Sequence, residues 1–469
     1  MAAGAVILKN LQHTQDCHNI LMYNCFMKKI SSKNLKIALI NHGCAKNLVD
    51  SELMLGLLAQ NGYNITLNDR EADLVIINTC SFIHDAEKES VHSIIEMVNE
   101  GKKIIITGCL PQKYKDELKK AVPEAVAMLG TSDIAKIVEV VKKIVEKPDS
   151  YVCEISENPI FKYPENAQRQ QITVGSSSYI KIADGCNYSC GYCVIPQLRG
   201  PYSSRPIENI VAEAKELAKK GVSEVVLIAQ DTTGYGIDLY KKPSLAKLLC
   251  ELNKIEDLNW IRVMYTYPSM FDDELIETFA NCEKVVKYVD IPLQHSHPDM
   301  LRAMRRPVMD YRAFIEKLRK KIPNVAIRTT FIVGYPGETE EMFEHLYEFT
   351  KWAKFDKMGA FEFSKEKNTY AYSLPEQIPA RVKKQRKNKL MKLQKQISRQ
   401  VNEAFVGKNI PCIVEAVSSD GPVVARSYRD APEVDGLVYI DTQEILVPGD
   451  IESVTITGCD DYDLFGELS

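Results

Sequence analysis

Three cysteines within eight residues are the strongest chemical signal in the sequence. Cys186, Cys190 and Cys193 follow a short apolar run, and their segment shows neither helical nor strand periodicity. Gly185 and Gly191 lie among them, so the backbone can fold the sulfur atoms towards one centre. A zinc site would need a fourth ligand close by, and the next several residues supply none. Three thiolates match an iron–sulfur cluster that keeps one iron open for a further ligand.

Three further cysteines each follow a predicted strand in the first part of the chain. Cys44, Cys80 and Cys109 all come a few residues after an apolar run. The carboxyl ends of parallel strands share one edge of a sheet, where α/β folds hold their ligands, so the three thiols could converge on one point. Buried cysteine is also common for reasons of packing. From the residues alone, three unrelated thiols therefore remain an alternative.

The first trio resembles the signature of the radical S-adenosylmethionine superfamily. That signature is Cys-x3-Cys-x2-Cys with an aromatic residue, here Tyr192, before the third cysteine. The resemblance implies a 4Fe-4S cluster whose open iron binds the amine and carboxylate of S-adenosylmethionine. One electron from the cluster would cleave this cofactor and release a 5′-deoxyadenosyl radical, while the fold orients the substrate and excludes water. No catalytic residue beyond the cluster ligands is implied.

The same resemblance suggests which polar residues contact S-adenosylmethionine. Tyr192 would lie near the adenine, and Gln230 and Asp231, which end a predicted strand, would lie near the methionine end. Further candidates near strand ends are Gln294, Arg328 and Glu338. Each of these residues could equally serve as a structural hydrogen-bonding group.

Three segments around the second trio resemble the signatures of the methylthiotransferase N-terminal domain. They are residues 43–52 (GCAKNLVDSE), 78–83 (NTCSFI) and 107–111 (TGCLP). The resemblance, which runs from about residue 36 to the C-terminus, implies that this trio holds a second 4Fe-4S cluster carrying the inserted sulfur. It implies an enzyme that adds a CH3–S group at an unactivated C–H bond. It also implies an electron donor such as flavodoxin or ferredoxin, and a sulfur donor.

The family modifies two kinds of substrate: an adenosine in transfer RNA, or an aspartate on small-subunit ribosomal protein S-twelve. Residues 405–469 contain three basic and thirteen acidic residues, a net charge of −10, whereas the rest of the chain carries +6. RNA-binding modules neutralise phosphates with Lys and Arg, so this charge favours a basic protein partner. The segments 229–236, 291–296, 304–306 and 461–466 resemble the ribosomal-protein branch. We therefore expect methylthiolation of an aspartate β-carbon, and no direct RNA binding by the C-terminal domain.

Alternating apolar runs and amphipathic segments predict an α/β protein of three domains. The predicted divisions are a disordered leader (1–35), a parallel α/β domain (36–150), a linker (151–177), an incomplete (β/α)6 barrel (178–400) and a TRAM-like five-stranded β-barrel (405–469). Strands of the first domain are predicted at 36–40, 73–77 and 103–107. Strands of the central barrel are predicted at 179–182, 224–229, 260–264, 288–292, 326–333 and 357–361. Strands of the last domain are predicted at 412–416, 423–426, 437–440, 444–447 and 453–457.

Composition excludes several classes of protein. The 469 residues are 45% hydrophobic and 26% charged, as in globular chains, and too many for one ordinary core. A net charge of −4 excludes a uniformly basic nucleic-acid coat. No apolar run approaches the roughly 18 residues that span a bilayer. Thirteen scattered cysteines do not suggest a disulfide framework, and we expect a cytoplasmic enzyme without a membrane partner.

Overall fold

The computed structural model describes residues 35–81, 84–164, 167–172, 175–417 and 421–469. The predicted leader, residues 1–35, lies outside the described residues except for Leu35. The chain divides into two compact units. The first comprises the described residues up to 172 with Asp184–Asn187 and Val194–Ser203, and the second comprises 175–183, Tyr188–Cys193 and Ser204–Ser469.

A six-stranded sheet forms the centre of the first unit. Its strands are β1 (Lys36–Asn41), β2 (Asn64–Ile65), β3 (Leu74–Thr79), β4 (Lys103–Gly108), β5 (Ala125–Leu129) and β6 (Val152–Glu154). They lie in the order β2-β1-β3-β4-β5-β6, and every neighbouring pair is parallel. The helices of this part are α1 (Ala45–Gln60), α2 (His84–Asn99), α3 (Cys109–Ala121) and α4 (Ile137–Glu146). The sheet confirms the predicted parallel α/β class.

The burial of β3 shows why this sequence forms a central strand. All six of its residues are buried. Leu74 and Ile76 join a hydrophobic cluster with residues of α1 and α4, whereas Val75 and Ile77 join another with residues of α2 and α3. Successive side chains of a strand point to opposite faces, so a strand covered by helices on both sides is apolar throughout.

The segment predicted as a linker, residues 151–177, begins inside this sheet. Val152–Glu154 forms β6, which pairs with β5. Phe161 is buried in the cluster that contains residues of α1, and the Arg169 Nε atom lies 3.2 Å from Glu52 Oε2. The prolines and polar residues suggested a linker, but an edge strand needs only a few residues and little apolar content. These residues therefore contribute to the core and polar contacts of the first unit.

The second unit contains a parallel, open barrel. The strands after β6 are β7 (Ser177–Lys181), β8 (Ala183–Asp184), β9 (Ser203–Ser204), β10 (Glu224–Ile228), β11 (Trp260–Val263), β12 (Tyr288–Asp290), β13 (Ala326–Val333) and β14 (Lys357–Glu362). Two parallel three-stranded sheets, β11-β10-β7 and β12-β13-β14, are linked by an isolated parallel bridge between Ile261 and Val285. Six parallel strands without closure confirm the incomplete (β/α) barrel that the sequence predicts.

Nine helices follow α4 in the described part of the chain. They are α5 (Ile195–Arg199), α6 (Ile207–Lys219), α7 (Ile237–Tyr240), α8 (Leu245–Leu252), α9 (Asp273–Asn281), α10 (Pro298–Ala303), α11 (Tyr311–Lys321), α12 (Glu340–Ala353) and α13 (Ala380–Glu403). Helix α13 carries the longest basic run of the sequence, and its Arg386 and Lys389 pair with Glu338 and Glu344. Among the helices described, none is long and apolar enough to cross a membrane.

The C-terminal strands close into a small barrel. They are β15 (Asn409–Ala416), β16 (Val423–Ser427), β17 (Val438–Asp441), β18 (Ile451–Cys459) and β19 (Leu464–Leu468), in the order β15-β16-β17-β19-β18. The barrel confirms the predicted architecture, but the predicted strand at 444–447 is wrong. Ile445 is 95% exposed and Gly449 has a φ of 101°, so this segment turns outside the barrel. The fifth strand is β19, whose Gly466 allows close approach to β18.

The C-terminal barrel packs against the amino ends of the central strands through buried ion pairs. Glu224, the first residue of β10, lies 2.7 Å from Arg262 and 2.5 Å from Arg426 of β16. Arg429 pairs with Asp356 at 2.8 Å. Burial alone would raise the pKa of Glu224, but the two guanidinium groups lower it to about 2. The carboxyl ends of the central strands are therefore left for the chemical site.

Candidate active site

The N-terminal cysteine trio lies on loops at one edge of the six-stranded sheet. Cys44 directly precedes α1, Cys80 directly follows β3, and Cys109 begins α3. The strands before these loops, β1, β3 and β4, are neighbours in the sheet and run parallel. The structure therefore places the three cysteines at the carboxyl ends of adjacent strands, which is the arrangement the sequence analysis expects.

Two glycines allow these loops to pack against one another. Gly43 has a φ of 95°, and a Cβ atom there would lie 2.6 Å from the Cβ of Cys80. Gly108 has a φ of 96°, and a Cβ atom there would lie 2.5 Å from the carbonyl oxygen of Thr79. Both the backbone conformation and the lack of space require glycine. The first loop thus contacts the second, and the second contacts the third.

Buried amide side chains hold the same loops in place. The Asn47 Nδ2 group donates hydrogen bonds to the carbonyl oxygens of His42 at 2.9 Å and Thr79 at 3.1 Å. The Asn78 Nδ2 group donates to the carbonyl oxygen of Asn47 and to Ser51 Oγ, both at 2.8 Å. These bonds satisfy the buried polar groups of two loops at once. They explain why the segments around the cysteines are rich in buried polar residues.

A buried arginine lies beside this trio. The Arg199 Nη1 atom lies 2.9 Å from Asp184 Oδ2 and 3.1 Å from Asp50 Oδ2, and its Nη2 atom donates to Asn47 Oδ1 at 2.7 Å. Residues of α5 and the turn before it share a hydrophobic cluster with Cys109. The sequence analysis did not identify Arg199, because its partners lie 15 to 152 residues away along the chain.

Burial and Arg199 shift the pKa values of this trio in opposite directions. Burial raises the pKa of Cys109 to about 12, against the opposing charge of Arg199 and in the presence of Cys80 and Cys44. Burial also opposes ionisation of Cys44, but Lys46 and Arg199 hold its pKa below the ordinary value. Cys109 interacts electrostatically with both other thiols, and Cys109 and Cys44 both interact with Arg199, so the three thiols lie in one environment.

These thiols are not grouped as the ligands of one metal ion in the described structure. In the described residues, no group of three or more His, Cys, Asp or Glu side chains could hold one metal ion. A 4Fe-4S cluster binds each cysteine through a different iron, so its ligand sulfurs need not approach one another as ligands of one ion do. None of the described cysteines forms a disulfide.

The second trio lies on the loop that follows β8. In the first unit, the Cys186 amide donates to the carbonyl oxygen of Gly200 at 3.0 Å. In the second unit, the Gly191 amide donates to the carbonyl oxygen of Met304 at 2.8 Å, and Gly191 accepts from the Ala371 amide at 2.7 Å. A Cβ atom at Gly191 would lie 2.5 Å from the Tyr335 hydroxyl. The segment between Cys190 and Cys193 is therefore held on two sides, and glycine is required within it.

Aromatic residues of the second unit position this loop. The Tyr188 hydroxyl donates to Asp231 Oδ2 at 2.9 Å, and the Tyr188 ring stacks on Tyr267 with a centroid distance of 4.0 Å. Tyr192 packs against a cluster that contains Met300. Burial, with the charge of nearby Cys190, raises the pKa of Tyr192 well above its ordinary value. The Tyr192 hydroxyl therefore stays protonated beside the cysteine.

The structure separates the predicted S-adenosylmethionine contacts into two groups, and the first lies at the carboxyl ends of strands. Gln230 and Asp231 follow β10, and burial raises the pKa of Asp231, whose Oδ1 atom accepts from the Thr233 amide at 2.9 Å. Gln294 follows β12 with a φ of 71°, and its buried Oε1 atom has no hydrogen-bond partner among the described residues. A buried acceptor without a donor is costly unless a ligand supplies one. Gln294 therefore fits a ligand contact.

The second group has structural partners instead. Arg328 lies near the amino end of β13, where it pairs with Asp290 at 2.9 Å and with Asp435 of the C-terminal barrel at 3.5 Å. Glu338 accepts from Arg386 Nη1 at 2.6 Å and lies 3.2 Å from His295 Nε2. Both side chains thus already take part in ion pairs, and their contact with S-adenosylmethionine stays a prediction.

Protein-family models match part of each of the three predicted domains. The Radical SAM superfamily model matches residues 180–350, the model described as Uncharacterized protein family UPF0004 matches 36–130, and the TRAM domain model matches 406–468. The ribosomal protein uS12 methylthiotransferase RimO of Microcystis aeruginosa is 47% identical over 437 residues, which are 92% of this chain and 98% of that protein. The chain belongs to the RimO family. The RimO protein of a Synechocystis species is 48% identical, covering 91% of this chain and 96% of that protein.

As a member of the RimO family, the chain is a radical S-adenosylmethionine methylthiotransferase, which confirms the predicted enzyme class. A 4Fe-4S cluster and S-adenosylmethionine are the cofactors of this chemistry. The methyltransferase TsrM from Kitasatospora setae, solved with its substrate tryptophan and an S-adenosylmethionine analogue, has a TM-score of 0.56 at 14% identity. The alignment covers 83% of this chain and 80% of TsrM. At this identity the likeness shows the fold alone.

Proposed function

We propose that this chain methylthiolates the β-carbon of an aspartate on ribosomal protein uS12. One observation carries the proposal: one cysteine trio follows three parallel strands and another follows β8, in a chain that matches uS12 methylthiotransferases over nearly its whole length. The radical-SAM trio alone is compatible with many reactions. A second trio, held at the edge of a separate sheet, supports a reaction that needs a second cluster for the inserted sulfur.

In this proposal each trio holds its own 4Fe-4S cluster. Cys186, Cys190 and Cys193 hold the cluster that, with S-adenosylmethionine, supplies the radical chemistry. The second cluster is held by Cys44, Cys80 and Cys109, and the sulfur to be inserted is carried there. The contacts to S-adenosylmethionine are assigned to Tyr192, Gln230, Asp231 and Gln294. We further expect a small electron-transfer protein such as flavodoxin or ferredoxin, a sulfur donor, and a cytoplasmic location beside the ribosomal substrate.

The side chains around the second loop have defined tasks in this scheme. Asp231 accepts hydrogen bonds from the Tyr188 hydroxyl and from the Thr233 amide. The first of these bonds holds the cysteine loop in position, and both are present without substrate. Gln294 offers a buried acceptor to a donor group of the bound cofactor. The stacked rings of Tyr188 and Tyr267 offer apolar surface beside the loop, which would exclude water from the radical chemistry that the bound cofactor supplies.

The C-terminal barrel supports a basic protein partner. Two of its three basic residues, Arg426 and Arg429, are each 1% exposed, because they pair with carboxylates of the central barrel and of the C-terminal barrel itself. Lys408 is thus the barrel's exposed basic residue. An acidic surface of this kind repels phosphates and attracts a basic protein.

A groove on this barrel supplies a docking surface for such a partner. It is lined by the acidic side chains of Asp441, Glu444 and Glu467 and by the stacked rings of Tyr439 and Phe465. Acidic groups flanking exposed aromatic rings can bind an extended segment rich in Lys or Arg through ion pairs and cation–π contacts. We assign this groove to a basic segment of uS12.

The substrate assignment is tested in a strain that lacks this gene. Mass spectrometry of ribosomal proteins should show loss of the methylthio mark on the uS12 aspartate, and transfer-RNA nucleosides should be unchanged. Re-expression of the full chain should restore the mark, whereas the variant Cys190→Ala should not. Loss of 2-methylthioadenosine with an intact uS12 mark would overturn the proposal in favour of the transfer-RNA reaction.

The groove is tested by charge reversal. The variants Glu444→Lys and Glu467→Lys should each slow association with purified uS12 about three- to tenfold at low salt, with a smaller effect at high salt. Glu433→Lys is the matched control, because Glu433 is exposed on the same barrel but does not line the groove. Equal effects of all three variants would show that association with uS12 depends on the net charge of the barrel and not on the groove.

A further inference from the structure

A second buried arginine, Arg306, lies beside the radical-SAM loop in the second unit. Its side chain is 8% exposed. The Nη2 atom donates to the carbonyl oxygen of Pro292 at 2.7 Å, and the guanidinium plane lies 4.1 Å from the ring centroid of Tyr267. The Nε atom is buried and has no acceptor in the described structure. The guanidinium group is therefore only partly satisfied by the protein.

Arg306 also lacks an anionic partner. Among the described residues, no carboxylate lies within salt-bridge distance of its guanidinium group. The other deeply buried arginines differ, because Arg199, Arg262, Arg426 and Arg429 each pair with at least one carboxylate. A buried charge without a counter-charge costs several kcal/mol, so such a group normally marks the place of a ligand.

The group that Arg306 faces is the cysteine loop. Arg306 is two residues from Met304, whose carbonyl oxygen accepts from the Gly191 amide between Cys190 and Cys193. Burial disfavours the charged guanidinium, yet interaction with Tyr192, Tyr267 and Cys190 holds the pKa of Arg306 above its ordinary value. A cysteine that ligates an iron–sulfur cluster does so as a thiolate, so a cluster bound at this loop would supply the anionic group that Arg306 lacks.

We propose that Arg306 is the counter-charge of the 4Fe-4S cluster held by Cys186, Cys190 and Cys193, and that it favours the reduced state of this cluster. One-electron reduction, by a single-electron donor, adds one negative charge to the cluster without bond formation. A nearby buried positive charge lowers the free energy of the more negative state. The inference rests on the presence of this cluster and is independent of the identity of the protein substrate.

The experiment compares Arg306→Gln, Arg306→Lys and Arg305→Gln in the full chain. All three are made in a background with Cys44→Ala, Cys80→Ala and Cys109→Ala, so that only the radical-SAM cluster contributes to the signal. Arg305 is the matched control, since it is adjacent, exposed and placed 3.8 Å from the Tyr370 ring. The readout is the midpoint potential in an anaerobic redox titration followed by electron paramagnetic resonance, with and without S-adenosylmethionine.

We expect Arg306→Gln to lower the equilibrium constant for reduction about tenfold, which corresponds to about 59 mV for one electron. Arg306→Lys should keep most of the wild-type potential, and Arg305→Gln should keep all of it. If Arg306→Gln fails to retain iron while Arg306→Lys retains it, the charge is required and the proposal stands. If both lose iron equally, the shape of the guanidinium matters instead of its charge, which overturns the proposal.

Two other results would also overturn it. An unchanged potential without S-adenosylmethionine, combined with weaker binding of S-adenosylmethionine, would make Arg306 a ligand of the cofactor. An unchanged potential under both conditions would leave Arg306 without an electrostatic role. Absence of iron from the background protein with Arg306 intact is a different failure, because it contradicts the proposed function itself before Arg306 is tested.

Discussion

Two buried arginines lie beside the two cysteine sites, and they differ in one respect. Arg199, beside the N-terminal trio, is paired with Asp50 and Asp184. Arg306, beside the radical-SAM loop, has no carboxylate partner among the described residues and has a buried Nε atom without an acceptor. The protein thus completes the charge balance of the first site with its own side chains, whereas the second is completed only when an anionic group is bound.

The largest effects are expected from the cysteines, and they test whether the two sites have separate tasks. Cys190→Ala should abolish formation of 5′-deoxyadenosine from S-adenosylmethionine in the reduced enzyme, because a cluster ligand is lost. Cys80→Ala should leave this cleavage intact and abolish only methylthio transfer. Chromatography of the reaction mixture measures both outcomes. If Cys80→Ala eliminated cleavage in folded protein, the division of labour between the two sites would be wrong.

The second prediction compares the two arginines directly in protein without iron. Arg199→Met removes the guanidinium group that pairs with two buried carboxylates and should lower the free energy of unfolding by about 3–5 kcal/mol. Arg306→Met removes a buried charge that no carboxylate offsets, so the free energy of unfolding should stay the same or rise. Urea denaturation followed by circular dichroism measures both. Arg70→Met, at an exposed position, is the control, and equal losses for the two buried arginines would contradict the comparison.

The third prediction concerns pH at the contact between the central and C-terminal barrels, where charges are again balanced within the protein. The pKa of Glu224 is lowered to about 2, so its ionised form stabilises the folded state. This contribution, about 3 kcal/mol, is fully present above about pH 5 and is lost as pH falls towards 2. Urea midpoints from pH 6 to pH 3 should therefore fall less steeply for Glu224→Gln than for the wild type. Glu283→Gln, at an exposed carboxyl, should follow the wild-type profile.

The smallest effect is expected at an exposed ion pair. Asp461 lies 2.9 Å from Lys395 and 3.7 Å from Arg399, both of which are on the solvent side of α13. Exposed pairs lose most of their attraction to solvent screening, so Asp461→Asn should leave the urea midpoint unchanged. A large shift at this position would contradict the conclusion that buried ion pairs stabilise this protein more than exposed ones.

The sequence was sufficient to predict that Cys44, Cys80 and Cys109 lie at one edge of a parallel sheet, because each follows an apolar run that forms a strand. It was also sufficient for the three architectures, since each has its own pattern of apolar residues. It was misleading at 444–447, where an apolar run forms an exposed turn, and at 464–468, where a strand contains one glycine and one acidic residue. Short strands of this kind are specified by their neighbours in the barrel.

The roles of the buried arginines and other polar residues could not be predicted from the sequence. Arg328 and Glu338 have the residue type and position of ligand contacts, but their partners are Asp290, Asp435 and Arg386, which lie 38 to 107 residues away. Arg306 is part of a motif whose role the sequence did not reveal. The decisive property of a buried arginine is whether a carboxylate reaches it, and only the folded chain shows this.

The most direct test of the account is the iron content of anaerobically reconstituted protein, measured together with its electron paramagnetic resonance spectrum after reduction. We predict about eight iron atoms per chain and two distinct paramagnetic centres, with about four atoms and one centre remaining when Cys44, Cys80 and Cys109 are all replaced by alanine. Saturation of the wild-type chain at about four iron atoms with a single centre would contradict the claim that each cysteine trio holds a cluster of its own.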